Sequence, residues 1–169
     1  MPSTSTNQPT NVNLLSPVGF RVNIENLPKT NWFVTSANLP GISLGEIVQP
    51  TPLLQAAVAG NDLTFETLNI TFLVDEDLQN WREIYDWMVG LGFPENYAQY
   101  QNQKEQNQIY SDATLTILNS NMKPNYRIIF TDLFPTALSE IAFDSASTDI
   151  EGLKVTASFR YLAYTYEKT

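Results

Sequence analysis

The chain has 169 residues, of which 43% are hydrophobic, and it carries a net charge of −9. This length and composition predict one globular domain and not a disordered chain. The sequence contains no cysteine, which excludes disulfides and thiolate metal sites, and no histidine, which removes the commonest general base and metal ligand. Because a negative chain repels phosphate, an ordinary nucleic-acid-binding role is not expected.

The N-terminal residues 1–13 are rich in Ser, Thr, Asn and Pro, and they lack the basic and apolar segments of a secretory signal. We expect these residues to be a flexible arm, or one that a partner orders, ahead of a single domain at residues 14–169. No apolar run approaches the ~20 residues of a membrane span, so a soluble protein made in the cytosol is expected, with no membrane partner.

The first strand-like alternation begins at Phe20 and ends at Leu27-Pro28, where proline stops the pattern. Two further strands are predicted at Trp32–Asn38 and Ile42–Val48, with a Leu-Pro-Gly turn between them. These segments indicate a sheet with one buried face.

The segment Gln49–Gly60 is apolar, yet it is bracketed by prolines and a glycine. Its side chains are too small for a core helix, so we expect a loop that is tucked under the domain or contacts a partner. Leu53, Leu54 and Val58 are its candidate contact residues.

The clearest strand is predicted at Leu63–Val74, where alternation is strong but changes phase near Glu66-Thr67. A phase change of this kind indicates a β-bulge or a strand shared between two sheets.

Three consecutive acids, Asp75-Glu76-Asp77, stand where this strand gives way to a helical pattern at about residues 77–89. A divalent-cation site or a catalytic carboxylate pair is one interpretation, but the spacing of a calcium loop is absent. Acids in a first turn are typical of a helix start, so Asp75 and Asp77 are predicted to cap the helix.

The predicted helix has more apolar residues than one buried stripe needs. The stripe predicted to pack on a sheet consists of Leu78, Trp81, Tyr85 and Met88. The remaining apolar residues, predicted as candidate subunit contacts, are Ile84, Trp87 and Leu91.

A polar segment rich in Gln and Asn at residues 95–111 is predicted to be a long loop. The strands predicted after it are Ala113–Leu118, Tyr126–Leu133, Ala137–Phe143 and Leu153–Tyr166. Both faces of the last strand become apolar near its end, so Tyr164 and Tyr166 are further candidate contacts with a neighbouring subunit.

The expected architecture is mainly β, a β-barrel or sandwich with one packed α-helix. No catalytic constellation, cofactor motif or metal-ligand spacing is present, so a non-enzymatic protein is expected. Two other classes stay open on the residues alone. The aromatic residues suit a carbohydrate-binding β-sandwich, and Asp75 or Asp77 could be the acid of a carboxylate-only hydrolase.

The order of several segments resembles the tail tube proteins of contractile-tailed bacteriophages. The segments that carry the resemblance are Phe20–Pro28, ANLPGI at Ala37–Ile42, AGNDLTFETLNITFLVDED at Ala59–Asp77, FTDLFPTALSEIAFDS at Phe130–Ser145 and VTASFRYLAYTYE at Val155–Glu167. Together they extend over nearly the whole chain from Phe20 to Glu167.

The resemblance implies a tail-tube-like fold that assembles into stacked hexameric rings, similar to the haemolysin-coregulated rings of type VI secretion. In such a tube the inner sheets of six subunits form one barrel around the DNA-ejection channel. The implied partners are other copies, the sheath, a baseplate or tube initiator, a tail terminator, the tape measure protein and passing DNA. The implied location is the virion, after assembly in the host cytoplasm. A tube initiator or baseplate hub-proximal protein of the same fold is the alternative.

The net charge of −9 suits a conduit for DNA, because a negative lining repels phosphate and keeps DNA from adhering. We therefore expect several carboxylates to face the channel.

Overall fold

The computed structural model describes residues 12–50, 54–92, 109–145 and 152–169. Within these ranges the chain forms nine strands, one α-helix and a short 3-10 helix at Thr30–Phe33. The elements are β1 Phe20–Ile24, β2 Val34–Ala37, β3 Ile42–Pro50, β4 Gln55–Phe65, β5 Leu68–Leu73, α1 Gln79–Gly92, β6 Ser111–Leu118, β7 Pro124–Leu138, β8 Lys154–Arg160 and β9 Ala163–Lys168.

Seven of these strands form two antiparallel sheets that share the 15-residue strand β7. The A sheet has the order β1-β6-β7-β9 and uses the first half of β7. The B sheet has the order β7-β8-β5-β2 and uses the second half. The backbone changes direction between the halves at Asp132, which has a positive φ of 55°. β7 therefore passes from one sheet to the other without a loop.

The core lies between the two sheets, and the alternation of each strand determines which residues enter it. In β5 every second residue is buried, beginning with Leu68. The largest fully buried aromatic residues come from both sheets: Phe72, Phe130 and Phe159. Of the predicted alternatives, barrel or sandwich, the fold is thus a β-sandwich, and the described strands do not close its sheets into a barrel.

The strand predicted at Leu63–Val74 is two strands, separated at Glu66-Thr67 where the alternation changes phase. β4 pairs with β3 and β5 pairs with β8, so the chain leaves one sheet and enters another at this point. In contrast, the predicted gap between the strands Tyr126–Leu133 and Ala137–Phe143 is wrong, because β7 continues through Pro135 to Leu138 opposite β8.

The helix α1 packs against the sandwich through a face that only partly overlaps the predicted one, since Trp81 and Met88 contact the core from its margin. Its buried residues are Asn80, Ile84, Trp87 and Gly90. Tyr85 is 45% exposed and Leu78 is 40% exposed, whereas Ile84 is fully buried. The sequence offered two overlapping apolar stripes, and the one rotated toward the sheets contains Asn80.

Asn80 is accommodated in this buried face because its side chain connects the start of the helix to the end of β5. Its Oδ1 accepts hydrogen bonds from the backbone N–H of Trp81 at 2.8 Å and of Asp75 at 3.3 Å. Its Nδ2 donates to the carbonyl oxygen of Leu73 at 2.7 Å. A buried amide with these partners is stabilising, whereas an unpaired one is costly.

The predicted cap by Asp75 and Asp77 is replaced by this arrangement. The helix begins two residues later than expected, after Leu78, which has a positive φ of 55°. Asp77 contacts the side chain of Gln79 at 3.4 Å, and Asp75 accepts from Leu78 through its backbone carbonyl at 3.0 Å. In the described hydrogen bonds, the side chain that accepts a first-turn N–H belongs to Asn80.

Candidate assembly surfaces

Among the described residues, the A sheet ends in two edge strands that have no outer partner strand, β1 on one side and β9 on the other. At β1 the backbone groups of the odd-numbered residues bond toward β6. The N–H of Glu25 donates to the carbonyl of Asp112, and the carbonyl of Gly19 accepts from the N–H of Leu118. In an antiparallel strand the direction of these groups alternates. The backbone groups of Phe20 and Val22 therefore point out of the sheet.

The β9 edge is presented in the same way, again by its even-numbered residues. Thr169 N–H donates to the carbonyl of Asn125, so the odd-numbered residues of β9 bond toward β7. The backbone groups of Tyr164, Tyr166 and Lys168 then point outward. One sheet thus presents unpaired strand edges at both of its ends, which are templates for pairing with another chain.

Tyr164 and Tyr166 differ in what their side chains do. Tyr164 packs against the core, and its hydroxyl donates to the carbonyl of Pro40 at 3.3 Å. Tyr166 is 75% exposed although it lies on the core-facing side of β9. Only Tyr166 therefore leaves its ring open to a neighbouring molecule.

The face of the A sheet that points away from the core is polar and nearly balanced in charge. A row of paired residues crosses all four strands, Arg21 beside Thr116 beside Arg127 beside Glu167. The next row is Asn23, Thr114, Ile129 and Thr165. With Asp112 also on this face, the strands contribute two arginines and two carboxylates, and Glu25, which follows β1 opposite Asp112, adds a third carboxylate. Only a small part of the net negative charge of the chain therefore lies on this face.

The strands β3 and β4 form a separate hairpin, the β3–β4 arm, which lies outside the sandwich. Every residue of β3 is exposed, and apart from each other the two strands contact the described elements only weakly. Apolar side chains nevertheless point to solvent along it, including Ile42, Leu44, Ile47, Val48 and Leu63. An isolated two-stranded hairpin is at best marginally stable in water, so such an arm gains from being covered.

The predicted loop Gln49–Gly60 is wrong, because most of it belongs to this arm. Gln49 and Pro50 end β3, and Gln55–Gly60 begins β4. Leu54 is 69% exposed and Val58 is 46% exposed, whereas Leu53 lies outside the described residues. The alanines and prolines suggested a loop, but cross-strand pairing with β3 holds the segment extended.

The arm is bent where two glycines meet. The register shifts between Leu44 and Glu46, so that Gly45 lies opposite a bulge containing Gly60. A Cβ atom added to Gly60 would lie 2.5 Å from the carbonyl oxygen of Gly45. Only glycine permits this approach of the two backbones, and the bend fixes the direction of the outer half of the arm.

An aromatic cluster anchors the base of the arm to the sandwich. The ring of Phe65 lies 5.5 Å from that of Tyr164 and 6.0 Å from that of Tyr161. The hydroxyl of Tyr161 donates to the carbonyl of Glu66 at 2.9 Å. Burial raises the pKa of Tyr161 from 10.0 to about 12, with a further contribution from Tyr164 and an opposing one from Arg160.

The helix residues predicted as subunit contacts lie in the interior of the subunit. Ile84 is fully buried and Trp87 is 5% exposed, with its ring 6.4 Å from that of Phe159. Leu91 is partly buried and packs against the same core. The expected contact role of Ile84 and Trp87 is therefore corrected to a core role, because the helix is rotated toward its Asn80 face.

Across the described ranges, no three His, Cys, Asp or Glu side chains come together in a group that could hold a metal ion. Among those same residues, no helix has both the length and the apolarity needed to cross a membrane.

Among the described residues, the β-sandwich has two strand edges without a partner strand on one sheet and an apolar arm in solvent, features that suit contact with other chains. The sequence matches the family described as phage tail tube protein over residues 6–167. The chain belongs to that family.

Individual relatives agree with this assignment. The tail tube terminator protein of Enterobacteria phage T4 is 26% identical over 162 residues, covering 92% of this chain and 90% of that protein. A chain of the anti-feeding prophage tube-terminating cap superposes with a TM-score of 0.65 at 16% identity, covering 99% of both chains. A chain of the sheath–tube complex of the extracellular contractile injection system PVC gives 0.66 at 15% identity, covering 99% of this chain and 100% of that one.

These findings define a structural protein of the phage tail tube family, and its fold matches that of chains from contractile injection systems. It is a phage tail component and not an enzyme. The carbohydrate-binding and hydrolase interpretations of the sequence are thereby set aside.

Proposed function

We propose that the protein is the subunit of a tail tube built from stacked hexameric rings, through which the genome leaves inside a contractile sheath. The observation that carries the proposal is the pair of A-sheet edges, β1 and β9, that no other described strand covers. A contact between two different surfaces of identical subunits closes into a ring when the rotation between copies is right.

Strand directions favour this closure. The A sheet has four strands, and each is antiparallel to the next. β1 and β9 consequently run in opposite directions, so β9 of one copy can lie beside β1 of the next without a parallel junction. Six copies give about twenty-four strands, and strands about 4.8 Å apart close a ring about 37 Å wide before tilt enlarges it.

In this ring the polar face of the A sheet lines the channel. Its threonines and asparagine are neutral, and its arginines Arg21 and Arg127 are matched by Asp112 and Glu167. The expectation of several carboxylates facing the channel stays a prediction, with Asp112 and Glu167 on this face. A lining without excess positive charge would still not attract the phosphates of passing DNA.

The β3–β4 arm supplies the contact between neighbouring subunits or stacked rings. Its exposed apolar side chains, among them Leu54 and Val58, become buried in that contact. The N-terminal residues 1–13 act as a second arm, and the outer surface meets the sheath. The remaining partners are the tape measure protein, passing DNA, and initiator and terminator proteins. Assembly takes place in the host cytoplasm.

A second candidate is the tube terminator, which ends the tube instead of extending it. The 26% identity to the terminator of phage T4 over most of both chains favours it. Both candidates use the same ring, but a terminator must present one face that does not accept another ring.

Electron microscopy of the purified protein tests the proposal. A tube subunit is expected to form long tubes by itself at high concentration, whereas a terminator forms single rings that bind the ends of tubes made by another protein. The deletion of residues 1–13 should shorten the tubes and leave the thermal unfolding of the subunit unchanged. Monomers at every concentration, with no ring of either kind, would contradict both candidates.

A further inference from the structure

The edge of β1 is not open along its whole length, because one side chain occupies its last position. Asn31, in the 3-10 helix after β1, accepts a hydrogen bond from the backbone N–H of Ile24 through Oδ1 at 3.0 Å. Its Nδ2 donates to the carbonyl oxygen of the same residue, also at 3.0 Å. The side-chain amide therefore makes both bonds that a neighbouring strand would make with Ile24.

The rest of the edge has no such cover. The outward-pointing backbone groups of Phe20 and Val22 have no partner in the described parts of the chain. A groove of about 850 Å³ lies along this edge, and its lining includes Val22, Asn31 and Trp32. Two pairing positions are open, and the third is filled from within the subunit.

We propose that Asn31 sets the register in which a second copy of the chain adds its β9 strand to β1. The inference rests on the proposed ring. β9 is the occupant because its own outward groups, at Tyr164, Tyr166 and Lys168, belong to the opposite edge of the same sheet. A strand that moved along β1 toward Ile24 would have to displace the Asn31 amide and leave polar groups unpaired, which is costly.

The pairing of β9 with β1 needs a feature that selects one register. A strand can slip along an edge by two residues and keep the same face toward the core, so alternation alone does not select one position. Asn31 removes the positions in which β9 covers Ile24. A slip in the other direction would leave outward groups of Phe20 and Val22 unpaired, so one offset is favoured at every junction, as a ring of one diameter requires.

The test compares Asn31→Ala with the control Asn23→Ala in the full-length protein. Asn23 Oδ1 accepts only the side-chain bond from Asn31 Nδ2 at 3.2 Å, so its loss leaves the Asn31–Ile24 bonds in place. Site-resolved hydrogen exchange on the monomer comes first. The Ile24 amide should exchange at least about tenfold faster in Asn31→Ala than in the wild type or the control, while the Phe72 amide in the core is unchanged.

Assembly is then measured by negative-stain microscopy and sedimentation. Wild type and Asn23→Ala should give rings of one diameter, and Asn31→Ala should give a severalfold smaller fraction of uniform rings with mixed sizes and aggregates. Uniform rings from Asn31→Ala at the wild-type yield would overturn the register role.

A failure of the wild type to form rings would refute the proposed function instead. The monomer then still provides a test, because removing the Asn31 side chain should increase edge-to-edge association, detected as thioflavin-binding aggregates. Equal aggregation of Asn31→Ala and wild type would overturn the inference in that case.

Discussion

The sandwich and the β3–β4 arm use similar residues for different purposes. In β5, Leu68, Ile70 and Phe72 alternate with polar residues, and all three are buried. In β3, Ile42, Leu44 and Val48 also alternate, and all three are exposed. The difference is not in the strands themselves but in whether a second layer lies over them.

This contrast separates the residues that stabilise the subunit from those available for assembly. The sandwich buries its apolar faces within one chain, so its stability does not depend on a partner. The arm has no covering layer, so its apolar residues contribute little until another chain covers them. Substitutions in the two regions should therefore affect different measurements.

Truncation of the same kind in both regions is expected to give the largest contrast. Phe72→Ala removes a fully buried ring and should lower the free energy of unfolding by about 3–5 kcal/mol. Val48→Ala, at a side chain that is 49% exposed, should change it by less than about 0.5 kcal/mol. Urea unfolding followed by circular dichroism measures both. Equal losses would mean that the arm is part of the core.

Asn80→Ala should give the next largest effect on stability. The variant loses three hydrogen bonds between the start of α1 and the end of β5, which should cost about 1–3 kcal/mol. Gln79→Ala, whose exposed side chain bonds only that of Asp77 in the described structure, is the control and should stay within about 0.5 kcal/mol. A neutral Asn80→Ala would refute the role of the buried amide in positioning the helix.

Alkaline pH should lower the free energy of unfolding through Tyr161, which lies at the base of the arm. The pKa of Tyr161 is raised from 10.0 to about 12, so between these values the folded chain keeps a proton that the unfolded chain releases. The contribution of this group is constant below pH 10 and falls above it, by at most about 1.4 kcal/mol per pH unit. Urea unfolding at pH 9 and pH 11 measures the loss.

The matched variants are Tyr161→Phe, which should show a shallower loss, and the control Tyr166→Phe, which removes an exposed hydroxyl and leaves Tyr161 in place. Identical slopes for wild type and Tyr161→Phe would contradict the assignment to Tyr161.

Changing the surface of the arm should have the smallest effect on stability and a large effect on assembly. Ile47 lies opposite Val58, so Ile47→Thr with Val58→Thr keeps two β-branched residues paired while removing apolar surface. The free energy of unfolding should change by less than about 0.5 kcal/mol, and tube or ring yield should fall at least about tenfold. The exchange Ile47→Val with Val58→Ile preserves the apolar surface and should assemble normally. Normal assembly of the threonine pair would contradict a contact role for the arm.

Local pattern was sufficient to predict much of the fold. Alternation identified β1 and β5, and the phase change at Glu66-Thr67 marked where the chain passes between sheets. The mainly β class and the single helix followed from the same periodicities. These predictions succeeded because a buried sheet face imposes a period of two on its strands.

The wrong predictions concern features that tertiary contacts determine. The helix has two apolar stripes, and the stripe that faces the core contains Asn80, which donates a hydrogen bond to the carbonyl of Leu73. Helical periodicity does not predict this contact. The arm was taken for a loop because its alanines and prolines disfavour strands, yet pairing with β3 overrides that preference. Asn31 was missed for the same reason, since its role exists only beside the edge of β1.

The most direct test of the central claim is a cryo-electron microscopy structure of the assembled protein. The account predicts a hexameric ring in which β9 of each copy pairs with β1 of the next, with Arg21, Arg127 and Glu167 facing the channel. It also predicts that the β3–β4 arm is buried against a neighbouring copy. A ring in which the β1 and β9 edges remain unpaired, with subunits joined through other surfaces, would contradict it.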